Sequence, residues 1–369
     1  MHLKPLTLAL AFALAPAAQA ANLSDVYRDA QAYDAQYAAA RAAREAGQEK
    51  SVQGRAALLP QVGLSGNVAR NHVDSSLPGG DVDYTGNGVA INATQPLFRR
   101  QNWVAFEQAQ NQTKIADVQF KLAGQDLILR VAQAYFDVLQ SQDNIAFIQA
   151  QKAAISEQLA SAKRNFEVGT ATITDTHEAQ ARYDLAVAQE IAEQNTLNIR
   201  LRALEKLIGK PAGALDTLVE PAQLKAEAGS IDDWAERAGK GNLQAEVQRI
   251  AKAIADQDVE RNRAGHLPTL DAVAGYTVNN NQNFGTLQAD MRTASLGLQL
   301  NLPIYQGGLV SSQVREAVAN QEKARQDLEA AIRDAGLSAR QAYLNVESGV
   351  ARVHALEQAL VSSRAQLDS

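Results

Sequence analysis

The sequence predicts an α+β membrane protein built from long α-helical coiled-coil hairpins and four amphipathic β-strands. Three observations lead there. Beyond residue 20, proline occurs at positions 60, 78, 96, 211, 221, 268 and 303 and nowhere between 97 and 210, a gap that suits unbroken helix because proline disrupts helix interiors. Inside that gap apolar residues recur every 3.5 positions, while between successive prolines on either side the period is two. Segments also recur about 208 residues apart, so the two halves should build the same elements.

The N-terminus sets the compartment. A basic start at Met1 to Lys4, an apolar stretch from Leu6 to Ala15 and the small-x-small triplet Ala18-Gln19-Ala20 read as a secretory signal peptide over 1–20, cut after Ala20. The apolar stretch is too short to span a bilayer, and Pro16 interrupts it. Removing Lys4 leaves 34 basic against 41 acidic residues, a net charge of −7, which argues against nucleic acid as a partner. The chain has no cysteine, which excludes disulfides, zinc–thiolate centres, thiol nucleophiles and lipid-modified cysteine. No later apolar run is long enough to cross a bilayer as a helix, so insertion would have to use strands.

A first structural repeat is expected over 21–208: a helix, a strand hairpin at 61–95, a long helix at 101–167 and a return helix at 171–208. The long helix carries a heptad stripe at 120, 124, 127, 131, 134, 138, 141, 145, 148, 152, 155, 159, 162 and 166. Eleven of these fourteen are Phe, Leu, Ile, Val or Ala, the exceptions being Gly124, Ser141 and Lys152. Such a repeat predicts left-handed coiled-coil packing. The return helix continues similar spacing through Tyr183, Val187, Leu197, Leu201, Leu204 and Ile208, and the turn between the two falls near Gly169.

A linker at 209–235 precedes a second repeat over 236–369, with a strand hairpin at 270–302 and a long helix at 309–369. The duplication rests on three matches. Gln133-Ala134-Tyr135 recurs as Gln341-Ala342-Tyr343, Arg55-Ala56 with Leu59-Pro60 as Arg263-Ala264 with Leu267-Pro268, and Pro96-Leu97-Phe98 as Pro303-Ile304-Tyr305. Adding 208 to Gly169 puts a second hairpin tip near 377, so the second repeat is expected to be incomplete and the sequence to be part of a longer protein.

In the strands, Leu296, Leu298, Leu300 and Leu302 fall on one face and Ser295, Gly297, Gln299 and Asn301 on the other. Val62, Leu64 and Val68, then Val89, Ile91 and Ala93, then Leu270, Ala272, Ala274, Tyr276 and Val278 alternate in the same way, apart from Val273 on the polar side. This pattern suits a barrel with lipid outside and water inside. A half-buried soluble sheet shows the same alternation, but the export signal and the lack of any other core for these strands favour the barrel. Four strands cannot close one, so several copies of the chain must.

Taken together, these parts resemble the TolC family of outer-membrane efflux and secretion ducts. The resemblance is carried by Gly265-His266-Leu267-Pro268-Thr269-Leu270-Asp271, by the strand exits Gln95-Pro96-Leu97-Phe98 and Pro303-Ile304-Tyr305-Gln306-Gly307-Gly308, and most specifically by Val168-Gly169-Thr170-Ala171-Thr172-Ile173-Thr174-Asp175. Phe98 departs from the second copy in being followed by Arg99-Arg100. The resemblance implies a homotrimer whose twelve strands form one shared β-barrel in outer-membrane lipid. An α-helical barrel continues it into the periplasm, with the linker in a belt around its middle. It implies a periplasmic adaptor protein as partner, meeting the tip at Val168, Gly169 and Thr170, and an inner-membrane pump or ABC transporter of a type I secretion system. It also implies that Thr174 and Asp175 bond to a Tyr and an Arg on the second hairpin and hold the periplasmic end shut. The residues alone allow Asp175 a simpler role, as an acid favoured at a helix N-terminus.

No catalytic or cofactor chemistry is legible. There is no phosphate-binding glycine loop with Lys and Ser or Thr, and His72, His177, His266 and His354 are scattered rather than grouped for a metal or a triad. Asp81 and Asp83 lack the further ligands of a calcium loop. No enzyme, cofactor or metal is therefore expected. The leading function is a passive conduit. A periplasmic coiled-coil adaptor or scaffold without a pore is the alternative, and it would have no use for a lipid-facing strand surface.

Overall fold

The computed structural model describes residues 20–74, 81–218, 229–284 and 287–368. Residues 1–19 of the signal peptide expected at 1–20, residues 219–228 of the expected linker, and Pro78 to Gly80 lie outside them. Two units are formed, one within 1–40 and 123–223, the other within 41–122 and 224–369. The elements run α1 (Leu23–Tyr33), α2 (Ala35–Ala56), β1 (Gln61–Val73), β2 (Val82–Phe98), α3 (Arg100–Glu167), α4 (Ile173–Ile208), α5 (Ile231–Gly241), α6 (Leu243–Arg263), β3 (Thr269–Phe284), β4 (Leu287–Asn301) and α7 (Leu309–Asp368). None of the helices is long and apolar enough to cross a membrane, among the described residues.

In the first unit, α3 and α4 run side by side, with Lys152 paired to Glu190 and Arg200 donating to Asp137 O at 2.7 Å, and much of the heptad stripe is buried. Leu127, Val131, Val138, Ile145 and Leu159 are buried. The three exceptions to the stripe each have a local reason or cost. Gly124 leaves room beside it for the ring of the buried Tyr37. Lys152 keeps its charge by pairing with Glu190 on α4, which Gln149 also contacts at 3.2 Å. Ser141 is fully buried, and its hydroxyl has no hydrogen-bond partner among the described residues.

Asp34 breaks the N-terminal helix into α1 and α2, a feature the heptad reading did not foresee. Its backbone N–H donates to Ala30 O at 2.7 Å while its carboxylate accepts from the Tyr37 N–H at 2.8 Å, ending one helix and capping the next. The carboxylate is buried and held by Arg130 of α3 through two bonds of 2.9 and 3.0 Å. The break recurs 208 residues later: Asn242 separates α5 from α6 and accepts from the N–H groups of Gln244 and Ala245.

In the second unit, α2 and α3 approach closely because Gly47 and Gly54, two turns apart, face Ala116 and Ala109. A Cβ on either glycine would lie 2.3 or 2.5 Å from the facing alanine Cβ, well inside contact distance. The four strands form one antiparallel sheet in the order β1-β2-β3-β4. In its registers Ile91 lies opposite Tyr276 and Asp271 opposite Gln299.

Candidate functional site

Two places carry the sequence-predicted functional residues: the sheet in the second unit and the α3–α4 turn in the first. The sheet has one apolar face, and among the described residues nothing covers it. Leu64 and Val68 are 73% and 76% exposed, Leu296 and Leu298 87% and 70%. Leu300, and Leu302 just past the end of β4, lie on the same exposed face. Pairing sets Val62 opposite Ala93, Ala93 opposite Ala274 and Ala274 opposite Leu296, so the apolar rows run unbroken across all four strands. Soluble monomers rarely expose an apolar patch of this size.

At the helical end of the sheet, Arg99 and Arg100 find partners that the sequence reading did not anticipate. Arg99 grips Asp271 of β3 with Nε–Oδ1 at 2.8 Å and Nη2–Oδ2 at 2.5 Å, and Arg100 reaches Glu260 of α6 at 2.9 Å. The departure from the second copy at 99–100 thus ties the first strand hairpin to the second repeat. A pairing over 172 residues has no short-range signal; only the unmatched arginines and the acid in Thr269-Leu270-Asp271 pointed to it.

At the α3–α4 turn, Gly169 has φ +78°, the left-handed conformation that glycine adopts without strain. The Thr170 N–H donates to Asn165 O at 2.8 Å and the Gly169 N–H to Phe166 O at 2.9 Å, which closes the last turn of α3 as a Schellman motif. Val168 is 73% exposed at the apex. Helix α4 then starts at Ile173 rather than 171, capped by Thr172: its hydroxyl accepts from the Asp175 N–H at 3.2 Å, and the Asp175 carboxylate accepts from the Thr172 N–H at 2.8 Å. Asp175 is therefore the reciprocal partner of a capping box. Bonds from Thr172 hold its carboxyl below the ordinary value. The sequence reading missed Thr172 as the cap, although the Thr-x-x-Asp pattern was present. Thr174, one residue earlier on α4, is exposed.

A family model described as outer membrane efflux protein matches residues 26–210 and 235–369. The chain belongs to the outer membrane efflux protein family. It is 34% identical to the outer membrane protein TolC of Vibrio cholerae over 362 residues, 96% of this chain and 81% of that one. It is 32% identical to the proteases secretion protein PrtF of Dickeya chrysanthemi, covering 94% and 77% of the two chains. The fold matches that of the outer membrane protein VceC from Vibrio cholerae with a TM-score of 0.75 at 16% identity, over 91% and 81% of the chains. As a family member this is an outer-membrane protein of the efflux and type I secretion channels. The pore-free scaffold is not favoured.

Proposed function

We propose that this protein is a passive exit duct. Three copies close their sheets into one twelve-stranded barrel in the outer membrane, with Leu296, Leu298, Leu300 and Leu302 toward lipid. Their helices carry the passage into the periplasm. There the tips at Val168, Gly169 and Thr170 receive an adaptor protein, which joins the duct to an inner-membrane pump or ABC transporter. Thr174 and Asp175 belong to the contact that closes the periplasmic end.

The sheet is the observation that supports this reading. Its apolar face is exposed on every strand, and β1 and β4 are edges with no neighbouring strand among the described residues. In lipid each unpaired backbone group costs several kcal/mol, so such a sheet is stable there only when copies pair edge to edge. An adaptor without a pore would leave the same apolar face in water.

Native mass spectrometry in detergent and planar-bilayer recording test the proposal together. A mass of three chains and stepwise conductance are expected. A monomer at working concentration, or trimers that pass no current, would overturn it.

A further inference from the structure

We infer that the barrel wall is electrically neutral, so that it does not select cargo by the sign of its charge, and that Arg99 keeps it neutral by pairing with Asp271. This rests on the duct reading, in which the polar face of the sheet lines the lumen.

That face consists of the odd-numbered positions of β1 (61–71), β3 (269–279) and β4 (293–301) and the even-numbered positions of β2 (84–94). Among these described residues every one is uncharged except Asp271. Charge is not absent from the sheet as such, because Arg70, Asp83 and Arg292 lie on the other face. Three copies of an unmasked Asp271 would form a ring of carboxylates, the arrangement by which cation channels select. Instead Asp271 is 5% exposed, and both its oxygens are taken by Arg99.

The way Arg99 reaches Asp271 is specific. Strict alternation would send Arg99 to the apolar face with Val89, Ile91 and Ala93. The register of β2 against β3 slips between Pro96 and Phe98, however: Pro96 pairs with Asp271 and Phe98 with Leu270, leaving Leu97 extra. This bulge puts Phe98 on the apolar face and turns Arg99 to the polar one. The duplication supports the link independently. Subtracting 208 from Asp271 gives Gly63, and adding 207 or 208 to Arg99 gives Gln306 or Gly307. The counterpart of this seam, the exit of β4 against β1 of the next copy, therefore lacks the acid and the base together.

The chain has no cysteine, so Gln299→Cys, directly opposite Asp271, supplies a single thiol reporter. In assembled protein its rates with a cationic and an anionic methanethiosulfonate are compared. Alone, it should show the rate ratio of a free small thiol. Adding Arg99→Gln should speed the cationic reagent and slow the anionic one by about three-fold each, shifting the ratio by about seven-fold, as expected of a unit charge ~7 Å away in water. Adding Asp271→Asn should shift it as far the other way, and both together should restore it. The Asp271→Asn variant leaves only Arg99, whose side chain is 40% exposed and open to hydration, so the test survives failure of Arg99→Gln to assemble. If the thiol reacts but the ratio stays constant in the single variants, the masking role is overturned while the duct stands. A thiol that neither reagent reaches would mean the polar face does not line water, which removes the duct reading and this inference together.

Discussion

At the residue scale, two buried carboxylates, Asp34 and Asp271, have partners far away in sequence. Arg130 grips the buried Asp34 carboxylate, and chiefly that bond, with the Tyr37 N–H behind it, holds the Asp34 carboxyl below its ordinary value. A lowered carboxylate pKa contributes stability that is complete above the unfolded value of about 4 and is lost as pH falls through the folded one. Arg130→Met leaves that carboxylate buried and unpaired and should cost about 3 kcal/mol, read as a lower thermal midpoint of the helical circular dichroism. Arg182→Met removes an exposed pair with Glu178 and should cost under about 0.5 kcal/mol. Equal midpoints would show that the Asp34 pair contributes no more than a surface one. Asp175 and Thr172 allow a different comparison. Both substitutions to alanine break the same capping box, but only Asp175→Ala removes a charge. In bilayer recordings Asp175→Ala should raise the resting conductance and Thr172→Ala should not; the same conductance in both would reduce Asp175 to a helix cap.

At the element scale, periodicity explains most of what formed. Much of the 3.5-residue stripe became the buried side of α3, and strict alternation became strands with one exposed apolar side. Ends were less legible. The strand hairpins run on to Phe98 and start at Thr269 because ladder bonds continue past the alternating core, and α4 starts two residues late because Thr172 is taken as its cap. The break at Asp34 was missed because its cost is offset by an arginine 96 residues away. For β4 the two faces make opposite demands. Leu298→Lys puts a charge into lipid at about 2–4 kcal/mol per chain at the midplane, whereas Gln299→Lys stays hydrated. Heat-modifiability gels should show assembled protein lost in the first variant and kept in the second. Equal loss would mean that the faces are reversed or both buried.

For the whole molecule, the internal duplication predicts how copies meet. Applying the offsets of 207 and 208 to the pairing of Ile91 with Tyr276 places Leu298 of one copy opposite Val68 of the next. With no native cysteine to interfere, Leu298→Cys with Val68→Cys should crosslink into covalent trimers on mild oxidation, since directly opposed residues lie within disulfide reach. Leu298→Cys with Leu64→Cys, four residues out of register, should remain single chains; the reverse result would show a different seam. By itself the sequence determined the helix and strand types, their recurrence about 208 residues apart and the two faces of the sheet. These are properties of spacing along the chain, and local sterics with apolar period are enough to set them. Only the tertiary structure decided that Arg99 neutralises Asp271 and that Arg130 holds Asp34, because such pairs depend on strand register, a bulge and helix packing that bring together residues 172 and 96 positions apart.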